Sequence, residues 1–291
     1  MSRLRTAVVG GALVLVTAGP ARRLRGSAAR RRAAQLVREA AVEAALTSGG
    51  SARVLARPLL AVVIAAYNET GSVGRVLGTL PDTVCGLSLC AVVIDDGSTD
   101  ETAEEARAAG AVVGRHARNL GQGDALRTGF AVAAGLAADV VVTMDADGQH
   151  DPAELADLVG PVVAGDADYV QGSRFLGRYD DAGGARDLGI RAFTRFINIL
   201  TRADITDCTN GYRAIDGAAL ARLRLVEDRF SASEILIQAA GHGLRIREVP
   251  VHIRGREVGE SKKPRGLGYA WGYFAVIVRS WARVHDPRSR S

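Results

Sequence analysis

From residue 59 onward the chain alternates short, wholly apolar runs with longer stretches in which apolar residues recur at helical spacing. Leu59 to Ala65 reads L-L-A-V-V-I-A, with no polar position on either face, the pattern of a strand covered on both sides. A helix to about Leu80 is expected after it. Leu89 to Ile94 predicts a second strand, and Glu101 to Ala109 a helix that Ser98 or Thr99 would cap. Val112 and Val113 predict a short strand, Ala125 to Ala137 a helix, and Val140 to Met144 a further strand. Strands alternating with helices imply an α/β fold: a single Rossmann-like, mostly parallel sheet flanked by helices, with right-handed crossovers.

The polar residues that interrupt this pattern cluster where the strands end. Asn68 and Glu69 follow the first strand, Asp95 and Asp96 the second, and Asp145 and Asp147 the last. In an open parallel sheet, ligands bind beyond these carboxyl ends. Asp145 and Asp147 are one residue apart, so on extended backbone they share a face. Two carboxylates there suit a hard cation such as Mg²⁺ or Mn²⁺, which bridges to substrate phosphates and needs few protein ligands. Asn119-Leu120-Gly121-Gln122-Gly123 lacks the third glycine of a dinucleotide fingerprint and does not follow the first strand. Its glycines fit a close approach of backbone to a ligand instead.

Charge divides the 291 residues into three blocks. Residues 1–57 hold 11 Arg and 2 Glu, net +9; residues 58–253 hold 17 basic and 27 acidic side chains, net −10; residues 254–291 are net +6. Basic ends without a nucleic-acid module or interleaved aromatics point to an anionic membrane surface and not to nucleic acid. Residues 1–57 are read as a basic extension: a short apolar segment from Ala7 to Ala21, an Ala/Arg-rich helix from Ser27 to Leu46, and a linker at 47–51. The apolar segment is short for a membrane span; a cleaved signal is its rival reading, which Pro20 and the arginines after it disfavour. Cys85, Cys90 and Cys208 have no metal-ligand spacing and are odd in number, as expected of a reducing compartment. Residues 266–291 predict an amphipathic helix and basic tail. Trp271, Phe274, Val278 and Trp281 fall on one face, suited either to a membrane interface or to the protein's own body.

Four strings, V-V-I-A-A-Y-N-E, V-I-D-D-G-S-T-D, N-L-G-Q-G-D-A-L-R-T-G and M-D-A-D-G-Q-H-D-P, resemble family 2 glycosyltransferases of the GT-A fold. The later segments G-S-R (172–174), D-C-T-N-G-Y-R (207–213), E-V-P-V (248–251) and R-E-V-G-E-S-K (256–262) resemble the polyprenyl-phosphate and dolichol-phosphate mannosyl- and glucosyltransferases. The resemblance spans about residues 59–262. It implies a nucleotide-sugar-binding half at 58–175 and an acceptor-binding lobe at 176–265. Ala65, Tyr67, Glu69, Asp96, Gly121 and Asp145 would bind the nucleotide; Asp145 and Asp147 would hold the metal, with Gln149 beside them. Ala65 stands where the family often has Pro, and Gln122 where it often has a basic residue.

The implied reaction is inverting, metal-dependent transfer of a hexose from GDP-mannose or UDP-glucose to polyprenyl phosphate, by an enzyme lying against the inner face of the plasma membrane. A lipid monophosphate, with its second pKa near 6, is already an anionic nucleophile and needs cations more than a base. Arg186, Arg256, Ser261 and Lys262 are candidates to hold that phosphate, although the run from Arg254 to Arg265 also fits a plain surface loop. Asp147, Arg174, Arg213 and Glu234 are the candidate catalytic residues, Glu234 being equally suited to the first turn of a helix. His150 is expected to be a turn residue and not a ligand. Transfer to a sugar hydroxyl of a polysaccharide or glycolipid, and nucleotide-sugar binding without turnover, are the competing readings.

Overall fold

The structure is a computed structural model that describes residues 5–9, 12–16, 21–48, 57–180, 184–255 and 267–286. Two short strands, β1 (Arg5–Val9) and β2 (Ala12–Val16), form an antiparallel hairpin ahead of a long helix, α1 (Ala21–Ser48). The main body follows as β3 (Leu59–Ala66), α2 (Val73–Gly78), β4 (Thr83–Val84), β5 (Leu87–Asp95), α3 (Thr102–Ala108), β6 (Val112–Arg115), α4 (Gln122–Gly135) and β7 (Val140–Asp145). Then come a 3-10 turn at Pro152–Glu154, α5 (Leu155–Val163), β8 (Tyr169–Tyr179), α6 (Ala185–Thr201), β9 (Arg213–Asp216), α7 (Gly217–Leu220), α8 (Ser231–Gly241), β10 (Ile246–Ile253) and α9 (Leu267–Val284).

Strands β10, β8, β9, β7, β3, β5 and β4 lie side by side in that order, with β6 also paired to β5. The central β7, β3, β5 and β6 are parallel, whereas β9 runs antiparallel to both β7 and β8. The sheet is therefore continuous through the expected boundary at 175/176, because β8 crosses it and β10 adds to β8.

The alternation of β3 builds the core. Leu59, Ala61 and Val63 face α4 and belong to the core cluster that includes Ala125 and Phe130 and extends to Ile235 of α8 and Ile277 of α9. Leu60, Val62 and Ile64 face α2, α3 and α5 through Val73, Val76, Ala103, Leu155 and Leu158. A strand with both faces covered has no polar side, as its sequence predicted. The register Ala65↔Asp145 and Ala66↔Asp95 brings the polar ends of β3, β5 and β7 to one rim.

Two peripheral expectations change. The N-terminal helix runs to Ser48, through the start of the expected linker, and it packs onto α4 and β6 with Ala41 and Ala45 buried. Small residues on that stripe let the helix approach Gly114 of β6, so α1 is part of the body's packing. The apolar segment at Ala7–Ala21 overlaps the two paired strands, which begin at Arg5 and end at Val16. For α9, the body supplies the partner: Tyr273, Val276, Ile277 and Val284 are buried, Phe274 stacks on Phe196, and Trp281 Nε1 donates to Leu200 O at 2.9 Å. Trp271 stays 70% exposed. Among the described residues no helix is long and apolar enough to cross a membrane.

Candidate active site

The loop after β3 holds Tyr67, exposed, and Asn68, whose φ of 52° lies in the left-handed region that Asn tolerates. This loop is fastened to the one after β5. Asn68 N–H donates to Ser98 Oγ and Glu69 N–H to Thr102 Oγ1, both at 2.9 Å, while Glu105 accepts from Gly71 N–H at 2.6 Å and Gly74 N–H at 3.1 Å. Ser98 thus ties two loops together, and the expected side-chain cap on α3 is absent. Asp95 is fully buried, accepting from Ser98 N–H at 2.8 Å and paired with Arg115 at 3.0 Å.

Asp96 is almost as deeply buried, and its carboxylate is spent on the protein. It receives Leu120 N–H at 2.9 Å, Gly121 N–H at 2.7 Å and His116 Nδ1 at 2.7 Å; His116 Nε2 in turn meets Thr128 Oγ1 at 2.8 Å. Asp96 therefore anchors the glycine turn over the β5 end. Gly121 has φ 100°, a conformation that other residues resist, and it starts α4. From the same turn, Gln122 Nε2 reaches Asp145 Oδ1 at 3.4 Å. One short turn thus spans the distance between Asp96 and the acidic pair.

Asp145 and Asp147 are half-buried at the end of β7. Gly211 lies so close to Asp145 that a Cβ there would stand 3.2 Å from Oδ1. Behind the pair His150 is buried and stacks on Tyr212, with ring centroids 4.7 Å apart. Its Nδ1 accepts from Asp145 N–H at 3.1 Å, and Nε2 meets Asn210 Oδ1 at 3.2 Å. Because Nδ1 faces a donor, the proton belongs on Nε2 and the ring is neutral. Burial lowers its pKa, against the pull of Asp145 and Asp147. His150 is thus the support of the acid-bearing turn. Asp147 accepts from Gln149 N–H at 3.2 Å, and the Gln149 amide donates to Arg254 O at 3.0 Å, clasping the end of β10.

Among the described residues no three His, Cys, Asp or Glu side chains converge as a complete metal cage. Two adjacent carboxylates on a partly open rim still fit a magnesium-type ion, which takes one or two carboxylates and completes its shell with water and substrate oxygens.

Across β9 the charge reverses. Arg174 on β8 is buried, its Nε held by Asp207 at 2.6 Å, its Nη2 by Thr209 Oγ1 at 3.2 Å, and its guanidinium 5.2 Å from the Tyr179 ring centre. Its charge works with burial to lower the His150 pKa, against Asp145 and Asp147. Glu248 fixes the loop below by accepting from Thr206 N–H at 2.7 Å and Asp207 N–H at 3.0 Å. Arg213 is 1% exposed; it donates to Ala232 O at 3.0 Å and to Asn210 O, and its Nε has no acceptor. Glu234 is fully buried, accepting from Val226 N–H at 2.9 Å and Glu227 N–H at 3.0 Å, and meeting Arg283 at 3.2 Å. Arg213 and Glu234 are therefore committed inside the protein, and Arg174, also buried, is held by Asp207 and Thr209. The Arg186 side chain and residues Arg256, Ser261 and Lys262 lie outside the described residues.

Sequence reasoning missed His116, Glu105 and Asp207. Each acts through contacts with residues far along the chain, and only His116, just past a strand end, gave any local signal.

Residues 61–230 match the profile of the glycosyl transferase family 2. The chain belongs to that family. It is a glycosyltransferase of the GT-A fold. An undecaprenyl-phosphate mannosyltransferase of Micrococcus luteus is 33% identical over 243 residues, covering 78% of this chain and 97% of that protein. A dolichyl-phosphate hexose transferase of Haloferax volcanii is 35% identical over 222 residues, covering 75% and 93%. Among solved structures, glucosyl-3-phosphoglycerate synthase from Mycobacterium tuberculosis, in complex with Mn²⁺, UDP and glucosyl-3-phosphoglycerate, superposes with a TM-score of 0.61 at 23% identity, over 78% of this chain and 81% of that one.

Proposed function

We propose that this glycosyltransferase moves a hexose, with inversion, from a nucleoside diphosphate sugar, GDP-mannose or UDP-glucose, to the phosphate of a polyprenyl lipid at a membrane surface. The observation that carries the reading is the state of His150. It is the imidazole beside the acidic pair, and both its nitrogens are committed, to Asp145 N–H and to Asn210. A hydroxyl acceptor calls for a base that can take its proton. A phosphate monoester acceptor is already anionic near neutral pH and calls for positive charge. Arg174, on the strand beyond β9 and pre-oriented by Asp207, is the candidate for that charge. The named activities of the Micrococcus and Haloferax relatives support a lipid-phosphate acceptor.

Tyr67, Glu69 and the turn at Leu120–Gly121 form the nucleoside side of the site. Asp145 and Asp147 would hold the divalent ion, Mg²⁺ or Mn²⁺. When bound, that ion supplies Lewis-acid stabilisation of the charge that grows on the leaving group. Asp145 keeps its aim through His150 and Gln122; attack by the lipid phosphate, with Arg174 as its candidate cation, from the face opposite the leaving group would invert the anomeric centre. The exposed Trp271 on α9 suits the lipid interface.

The test is incubation with labelled GDP-mannose and UDP-glucose, each with Mn²⁺, in the presence of polyprenyl-phosphate vesicles or of extracted glycans. Label in a chloroform-soluble product released by mild acid is expected. Label in the glycan fraction would establish the hydroxyl-acceptor reading, and nucleotide-sugar binding without transfer would make the protein a binding module.

A further inference from the structure

The glycine turn that spans Asp96 and Asp145 has open space behind it. A cavity of about 700 Å³ is walled by Arg38 of α1, Arg118, Asn119 and Leu120 of the turn, and Arg127 and Val226. The acidic pair is not among its walls. A turn beside open space is positioned by the contacts that brace it: Asp96 holds Leu120 and Gly121 from the β5 end, and the segment 225–230 before α8 braces Gly123 and Arg127 from the other. Gly123 N–H donates to Asp228 O at 3.3 Å, and a Cβ on Gly123 would stand 2.3 Å from Glu227 O. Arg127, on the first turns of α4, donates to Glu227 O at 3.1 Å and pairs with Asp228 at 3.0 Å.

The other side of this segment is fastened to α9. The Glu227 carboxylate takes Arg279 Nη2 at 2.7 Å and Nε at 3.2 Å, and also takes Arg283. Glu234 meets Arg283 while holding the backbone N–H groups of Val226 and Glu227. Phe230, at φ 62°, sets its ring edge-on to Tyr273 of α9, 4.7 Å between centroids. Burial works to raise the Glu227 carboxyl, yet the two arginines outweigh it and hold it below the usual glutamate range.

We infer that Glu227 is a positioning residue for donor binding: it transmits the fixed position of α9 through the 226–228 backbone to the turn Leu120–Gly123, and so sets the spacing between the nucleoside side and the acidic pair. The inference rests on the transferase reading above, in which that turn lies against the nucleoside diphosphate. Loss of the Glu227 charge removes its ion pairs to Arg279 and Arg283 and leaves Glu234 as the polar tie to α9, and the turn relaxes toward the cavity. Donor affinity falls while the chemical step, which uses other side chains, keeps its rate.

Isothermal titration of UDP and GDP, each with Mn²⁺, into the full-length protein and into Glu227→Gln tests this directly, together with donor and lipid kinetics. The expected result is a rise of about tenfold in the donor Kd and KM, equivalent to about 1.4 kcal/mol, with kcat at saturating donor and the KM for lipid phosphate unchanged. A purely structural role would lower kcat through loss of active protein and leave the donor KM alone; that result overturns the inference. Gly123→Ala pushes on the same segment from the opposite side, so its effect combined with Glu227→Gln is expected to fall well short of the product of the two; independent effects also overturn the proposal. If Glu227→Gln does not fold, Arg279→Gln removes an exposed partner of the same carboxylate and is expected to raise the donor KM severalfold, an unchanged value contradicting the coupling. Wild-type protein that binds neither nucleotide overturns the transferase reading as well, whereas wild-type binding with an unchanged Glu227→Gln overturns the coupling alone.

Discussion

The two sides of the rim are built by different means. On the donor side, backbone does most of the work: Asp96 collects the Leu120 and Gly121 N–H groups, and Asp145 receives support from His150 through its own N–H. The side chains left toward solvent are half-buried acids and an exposed tyrosine. On the proposed acceptor side the candidate charge is itself buried: Arg174 is sunk against Asp207, whose loop is held in turn by Glu248. A site assembled from loop backbone tolerates loss of a rim side chain with its fold intact. One assembled from buried ion pairs does not, because removing one partner strands the other.

The largest expected effect is on chemistry alone. Asp147→Asn is expected to lower kcat by about 10²- to 10³-fold, the cost of removing one element of transition-state charge stabilisation, with the melting temperature essentially unchanged. A substantial loss of thermal stability would show that the donor side is not separable from the fold. Arg174→Met sharpens the contrast: it is expected to cost about 3–5 kcal/mol of stability by stranding Asp207, measured by denaturant unfolding, and to raise the KM for lipid phosphate in whatever protein folds. A stable Arg174→Met enzyme with unaltered lipid kinetics would break the comparison. Away from both sides, Ala45→Asp places a charge between α1 and the body. It is expected to destabilise the protein by about 2 kcal/mol while leaving the KM values alone, as followed by thermal unfolding. The smallest effect belongs to Trp271→Ala, expected to weaken sedimentation with anionic vesicles a few-fold and to change stability by less than about 0.5 kcal/mol, as surface substitutions do.

The same contrast explains what the sequence disclosed. The double-sided apolar runs of β3 and β7 and the acids at their ends are local patterns, so the parallel core and the Asp145/Asp147 pair were readable directly. Tyr67 and Gly121 sit where strand ends and turn chemistry put them; their part in nucleotide binding belongs to the proposal. The neutral, supporting role of His150 was not readable, since it depends on Asn210 and Tyr212 some sixty residues later. Arg213 was a candidate as a phosphate-binding guanidinium and Glu234 as an acid equally suited to a helix start; their partners, the carbonyls of Asn210 and Ala232 and the N–H groups of 226–227, are backbone atoms that no residue pattern announces. The N-terminal helix misled for the opposite reason. Its alanine stripe is weakly apolar, yet small residues suffice where two elements pack closely, as Ala41 and Ala45 do against β6.

The central claim is that the attacking atom is an oxygen of a lipid phosphate. Phosphorus-31 NMR of polyprenyl phosphate, incubated with the enzyme, Mg²⁺ and the preferred nucleotide sugar, follows that atom itself. The account predicts that the monoester resonance of the lipid is replaced by a phosphodiester resonance in step with nucleoside diphosphate release. Release of nucleoside diphosphate and transfer of sugar with the lipid monoester resonance unchanged would contradict it.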